Sequence, residues 1–338
     1  MPANAVRHTG LGSMPGTDIV EALKVVTDEF TDFMHLPELP KRGPGGDMIG
    51  RTGALLSGVA ADLAIETTPT GWKFADAPGA HVRRALSWLN EDLERLEERI
   101  GDADVSLKVQ LTGPITLAST IALARGERAV VDAGAVRDIA HAHREAARLH
   151  VADVRRRLPN AQITLQIDEP AMDGALRGVI PTQSGFGRLR ALEAPAVIEL
   201  HRELAQTIAS AGAMPWLHSC APNWPLALVR AAGYRGISGD FSLVTDLDEE
   251  ELGAVIEAGI DVVAGVIPTW DDALASRPAS EVATVLPIRL RYQRLGLLDR
   301  LASVVITPAC GLGNVTWKSA LTAISRTQEA ARTLVEED

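Results

Sequence analysis

The sequence has 338 residues, 46% hydrophobic and 23% charged, with 33 Lys+Arg against 44 Asp+Glu for a net charge of −11. That apolar content supports a large core and excludes general disorder, while the acidic balance repels phosphate backbones and excludes nucleic acid as an expected partner. No apolar run approaches the about 20 residues of a membrane span, and two cysteines cannot build a disulfide framework.

The N-terminal stretch MPANAVRHTGLGSMPG lacks the apolar block of a secretory signal, so a cytoplasmic, reducing setting is expected. Short β-branched runs then alternate with longer helical patterns. Strands are predicted over 5–11, 32–36, 106–111, 162–167, 214–218, 235–239, 261–267 and 303–307. Helices are predicted over 17–29, 80–99, 129–157, 195–211, 248–258, 279–295 and 316–335, where apolar residues recur every three or four positions. Eight strands separated by helices imply a parallel sheet, and eight is the number that closes a barrel. The expected fold is therefore α/β, a (β/α)₈ TIM barrel in one domain spanning 1–338. No GxGxxG follows the first strand, so a dinucleotide-binding open sheet lacks support.

One stretch breaks the alternation. From Pro37 to Gly79 the chain carries Pro40, Gly43-Pro44-Gly45-Gly46 and further turn signals at Pro69 to Gly71, which reads as a long insertion after strand two. An insertion at that place is a lid, a binding loop or packing decoration over the barrel end.

Barrel enzymes build their sites at the C-terminal ends of the strands. Strand one is followed by Gly12-Ser13-Met14-Pro15 and strand three by Thr112-Gly113-Pro114. Strand four ends in Asp168-Glu169-Pro170, strand five in His218-Ser219-Cys220, strand six at Asp240, and strand eight in Thr307-Pro308-Ala309-Cys310-Gly311. His218 and Cys220, two apart on an extended segment, face the same way. With Asp240 and Cys310 they make an N, S, O, S donor set suited to tetrahedral Zn²⁺; the bland alternative is a buried cysteine beside a hydrogen-bonded histidine. Neighbours on a strand point oppositely, so of Asp168 and Glu169 only one faces a substrate, and Asp168 is the candidate to hold an ammonium. Its alternative role is capping the turn before Pro170.

The remaining features read as structural. His141 and His143 on a charged helix are expected at the surface, and His8 and His35 in core or lining positions of their strands. Arg155-Arg156-Arg157 are expected to be solvated at a helix end, and Asp248-Glu249-Glu250-Glu251 to form an anionic first helical turn.

Taken in order, these strand ends resemble the catalytic C-terminal half of cobalamin-independent methionine synthase, in the superfamily that includes uroporphyrinogen decarboxylase. The resemblance rests on Gly12-Ser13-Met14-Pro15, Asp47-Met48, Leu111-Thr112-Gly113-Pro114, Gln166-Ile167-Asp168-Glu169-Pro170-Ala171, His218-Ser219-Cys220 and Pro308-Ala309-Cys310-Gly311-Leu312. It implies zinc held by His218, Cys220, Cys310 and Asp240, where the family has glutamate. It also implies an amino-acid end of homocysteine bound by the Gly12-Ser13 loop and Asp168, and a thiolate attacking an activated methyl group. Two further departures are visible. Gly50 stands where the family has a substrate-binding glutamate, and the end of strand seven reads Pro268-Thr269-Trp270 where the family has a histidine, which makes Trp270 a candidate substrate contact. The length resembles a stand-alone core form, for which the methyl donor is a methylcorrinoid, free or on a carrier protein, or methyltetrahydrofolate. The alternatives are a barrel acting on a different thiol, a related decarboxylase, and a catalytically silent binding homologue.

Overall fold

The computed structural model describes residues 6–270, 272 and 281–335. Eight strands form one all-parallel sheet: β1 (Arg7–His8), β2 (Met34–His35), β5 (Ser106–Thr112), β6 (Gln162–Asp168), β7 (Met214–His218), β8 (Gly236–Asp240), β9 (Asp261–Ile267) and β10 (Val305–Pro308). Their order is β1-β10-β9-β8-β7-β6-β5-β2. The outermost strands, β1 and β2, meet beyond their C-terminal ends through a parallel bridge between Ser13 and Glu38. There Met14 N–H donates to the Glu38 carbonyl at 2.8 Å and Glu38 N–H to the Gly12 carbonyl at 3.0 Å. The predicted barrel is therefore present, closed at its mouth rather than along the length of β1 and β2. Both strands are far shorter than the sequence suggests. Beside them Gly10 lets the chains approach closely, since a Cβ there would lie 2.3 Å from the His35 ring.

The strands alternate faces. Leu107, Val109, Leu111, Ile163, Leu165 and Ile167 point outward and are buried against the helices. Inward, Phe33, Trp216, Val263 and Val305 form a separate apolar plug, with Phe33 edge-on to Trp216 at 5.2 Å. The inward positions of β5 and β6 carry polar groups instead: Lys108, Gln110, Gln166 and Asp168.

The outer layer consists of α1 (Ile19–Glu29), α3 (Ala80–Ile100), α4 (Pro114–Thr120), α5 (Ala133–Arg157), α6 (Met172–Arg177), α7 (Ala194–Ser210), α8 (Leu226–Ala232), α9 (Glu249–Glu257), α10 (Glu281–Leu295) and α11 (Trp317–Val335). The predicted helix starts at 279–280 lie outside the described residues. Asp132 caps α5 by accepting from Gly134 N and Ala135 N, and Asp18 caps α1 in the same way. The acidic run opens α9 as expected, behind a Thr245–Asp248 capping box.

Two surface expectations are corrected here. His143 is fully buried, because α5 turns that face onto β5 and the imidazole Nε2 meets the Thr112 carbonyl at 2.7 Å. Arg157 is nearly buried as well, pairing with Asp153 at 3.1 Å and Glu97 at 3.3 Å. His141 is exposed and His35 lies in the core, as read from the sequence.

The insertion after β2 has its own structure: α2 (Met48–Val59) and an antiparallel hairpin of β3 (Ile65–Thr68) and β4 (Gly71–Phe74). Asp47 organises its start, accepting from Gly50 N at 2.8 Å, Gly45 N at 3.0 Å and Trp72 Nε1 at 3.3 Å. Among the described residues no helix is long and apolar enough to cross a membrane.

Candidate active site

At the C-terminal end of the sheet lies a cavity of about 240 Å³. It is lined by Ser13 after β1, Glu38 after β2, Asp47 and Met48 at the start of α2, Gln166 and Asp168 on β6, His218 and Cys220 at the end of β7, and Cys310 after β10. The insertion thus supplies part of the wall.

The parity argument on β6 holds. Asp168 faces the cavity, and its Oδ1 accepts from Gln166 Nε2 at 2.7 Å rather than capping the turn. Glu169 points the opposite way and is fully buried. Its carboxylate accepts from Ile115 N at 3.0 Å, Thr116 N at 2.7 Å and Thr116 Oγ1 at 2.6 Å, with His201 Nε2 at 3.3 Å. Glu169 therefore ties the start of α4 to the residue next to Asp168. Gly113 is required there, since a Cβ would lie 2.2 Å from Glu169 Oε1.

The loop after β1 is held from inside the barrel. Lys108 Nζ donates to the Leu11 carbonyl at 2.9 Å, and Gln166 Nε2 donates to the same oxygen at 3.1 Å. Gly12 has φ +143° and lies over Gln110, whose Nε2 would be 2.7 Å from a Cβ. Gly12 itself is not in the cavity wall, whereas Leu11 and Ser13 on either side are.

The two cysteines come together, with the Cys220 thiol hydrogen-bonded to Cys310. That bond lowers the Cys310 pKa to about 7 and raises that of Cys220. His218 is held by Ser238 Oγ at Nδ1, 3.0 Å away, which leaves Nε2 uncommitted. Burial, reinforced by the Lys108 charge, pushes its pKa down to about 3, so the ring is neutral with a lone pair to donate. Asp240 is buried but is not in the cavity wall; its Oδ1 accepts from Ser242 N at 2.9 Å and Ser242 Oγ at 2.6 Å, while its charge acts on Cys310. Among the described residues no three His, Cys, Asp or Glu side chains are arranged around one point to hold a metal ion. In donor type the set nevertheless fits zinc, with two touching sulfurs, a neutral imidazole and a carboxylate whose Oδ2 is not used by Ser242.

Trp270 is 48% exposed and absent from the cavity wall, so the structure does not bring it to the other candidates. Gly50 explains itself. A Cβ there would lie 2.4 Å from Trp72 Cζ2 and 2.9 Å from the Gly45 backbone, so the hairpin fills the volume that a longer side chain needs.

Sequence reading missed a chain of buried charges behind the wall. Arg42 pairs with Asp92 at 2.8 Å, Arg51 with Asp92 at 3.0 Å and with Glu38 at 3.6 Å. Burial lowers the Lys108 pKa to about 8 against the opposing pull of Asp168 and Glu38. The visible signal was Lys108 itself, a charge at an inward position of a strand whose outward positions are all apolar. Glu38, between two prolines in an insertion, gave none.

A family profile described as the catalytic domain of cobalamin-independent synthase matches residues 6–333. Among solved structures, a B12-independent methionine synthase from Shewanella sp. W3-18-1, in complex with selenomethionine, superposes with TM-score 0.60 at 12% identity, covering 98% of each chain. A GH5_18 protein from Bifidobacterium longum subsp. infantis reaches TM-score 0.46 at 10% identity over 97% of this chain and 79% of that one. No curated protein matches.

Proposed function

The chain belongs to the catalytic-domain family of the cobalamin-independent methionine synthases, which are methyltransferases, and on that premise we propose that it moves a methyl group to the thiol of homocysteine with the help of one zinc ion. The observation that carries this reading is the meeting of Cys220 and Cys310 from two separate strands beside the free Nε2 of His218, in a cavity that also holds Ser13 and Asp168. His218, Cys220 and Cys310 would hold the metal, with Asp240 through Oδ2 as the fourth donor.

Zinc bound there supplies acidity, favouring the thiolate form of a substrate thiol, the only form that attacks. The protein does the rest. Ser238 fixes the His218 ring so that its lone pair is presented. Lys108 and Gln166 hold the Leu11 carbonyl and so fix the Ser13 loop for the carboxylate of an amino acid. Gln166 also orients Asp168, whose carboxylate takes the ammonium. A family named for independence from cobalamin favours a folate methyl donor over a corrinoid. The relative from Shewanella holds selenomethionine, an analogue of the product proposed here. A reducing cytoplasm would keep both thiols free.

The test is turnover. Zinc-loaded protein with homocysteine and methyltetrahydrofolate is expected to give methionine, and Cys310→Ala to give none. Equal product from wild type and Cys310→Ala would overturn the reading.

A further inference from the structure

Ser238 and Asp240 are two apart on β8, so both side chains face into the barrel. Ser238 Oγ lies 3.0 Å from Nδ1 of His218, its register partner on β7. The Asp240 carboxylate has a hydroxyl of its own. Its Oδ1 accepts twice from one residue, Ser242 N at 2.9 Å and Ser242 Oγ at 2.6 Å. A carboxylate oxygen has two lone pairs, so Oδ1 is fully used and the buried group has only Oδ2 left to offer. The Cys310 thiol feels the Asp240 charge, which places the carboxylate on the side of the cysteine pair.

The turn that carries Ser242 is held without help from the hydroxyl. Asp240 Oδ1 caps the one-turn 3₁₀ helix Phe241–Leu243 through Ser242 N. Trp224 Nε1 donates to the Asp240 carbonyl at 3.2 Å, and Phe241 packs edge-on to Trp224 at 6.1 Å. Gly239 allows this approach, since a Cβ there would lie 2.7 Å from the Trp224 ring. Ser242 is exposed, so water could equally satisfy its hydroxyl. The hydroxyl instead makes a short bond, of the length seen when O–H donates to an ionised carboxylate. A second donor on Oδ1 restrains rotation of the carboxylate about its own bond. Partners of this kind, outside the ligand set, orient a ligand before the metal arrives.

We propose that Ser242 is a positioning residue for the metal centre: its hydroxyl fixes the Asp240 carboxylate so that Oδ2 alone is offered to zinc. This rests on the zinc reading above and extends it to a residue outside the cavity wall. β8 and the turn after it then hold two of the four donors, the His218 ring through Ser238 and the carboxylate through Ser242.

The experiment is zinc affinity by competition with a chromophoric chelator, with melting curves alongside, in wild type, Ser242→Ala, Ser242→Thr, Asp240→Ala and the double variant Asp240→Ala/Ser242→Ala. Ser242→Ala is expected to weaken zinc binding by about 10- to 100-fold without lowering the melting temperature of the metal-free protein. Ser242→Thr, which keeps the hydroxyl, is expected to bind as wild type does. Once Asp240 is gone, removing the hydroxyl should change nothing further, because Ser242 acts through that carboxylate alone. Wild-type affinity in Ser242→Ala, or an equal loss with and without Asp240, overturns the proposal. Wild type that binds no zinc removes the zinc reading and this proposal together. Wild type that binds zinc while Ser242→Ala matches it removes this proposal alone.

Discussion

Replacing Glu169 with alanine tests whether the back of β6 holds the site in place. The carboxylate is fully buried and accepts two backbone N–H groups, Ile115 at 3.0 Å and Thr116 at 2.7 Å, and the Thr116 hydroxyl at 2.6 Å. Removing it orphans both N–H groups at the first turn of α4, each costing about 1–3 kcal/mol when buried and unpaired. The hydroxyl can rotate and the His201 contact is longer, so about 4 kcal/mol is expected for Glu169→Ala. Glu169→Gln keeps the shape and one acceptor oxygen and should cost about 2 kcal/mol. An unfolding entropy of about 2.1 cal/mol/K per residue makes about 4 kcal/mol a fall of roughly 6 °C in a chain of this length. Calorimetric melting of the three proteins gives the answer. A Glu169→Ala protein that melts within about 2 °C of wild type would refute the claim that this carboxylate anchors α4 to β6.

Two more predictions concern groups packed around the site. Gly50→Ala places a methyl group 2.4 Å from Trp72 and 2.9 Å from the Gly45 backbone, so it should destabilise by about 1–3 kcal/mol; a denaturant midpoint equal to that of wild type would show that the hairpin yields freely. His143 and His150 are buried with pKa values pushed down to about 4, and burial holds His35 well below its usual value. Each is neutral when folded and takes up a proton more readily when unfolded. Their contribution is therefore complete above the ordinary histidine pKa and is lost as pH falls towards the folded values. From pH 7 to 5 His143 and His150 should each cost about 2 kcal/mol of stability, and His150→Gln should remove one such share of the drop. Urea midpoints that stay level between pH 7 and 5 would contradict this.

The barrel was legible because periodicity reports burial. Seven-residue β9 stands out as an apolar run and β5 and β6 as alternations of apolar with polar residues, and the polar residues after them mark the mouth. The two-residue β1 and β2 were overextended because their apolar neighbours are buried in loops that close the ring at Ser13 and Glu38. Strand parity placed Asp168 in the cavity and Glu169 behind it, a local rule that needs no tertiary information. His143 was misplaced for the converse reason: one helix face is indistinguishable from another where charges alternate, and only the packing of α5 on β5 buries it. Trp270 followed from alignment of strand ends alone and turned out to be exposed. Glu38, Arg51 and Asp92 lie far apart in sequence, and nothing local to any of them announces the buried ion-pair chain they share.

Metal content tests the central claim most directly. Protein purified without chelator and exchanged into metal-free buffer should carry one zinc per chain by elemental analysis. Cys220→Ala, Cys310→Ala and His218→Ala should each lose most of it while remaining folded by circular dichroism. Wild type that takes up no zinc when offered it, or a Cys220→Ala/Cys310→Ala double variant that keeps a full equivalent, would contradict the account.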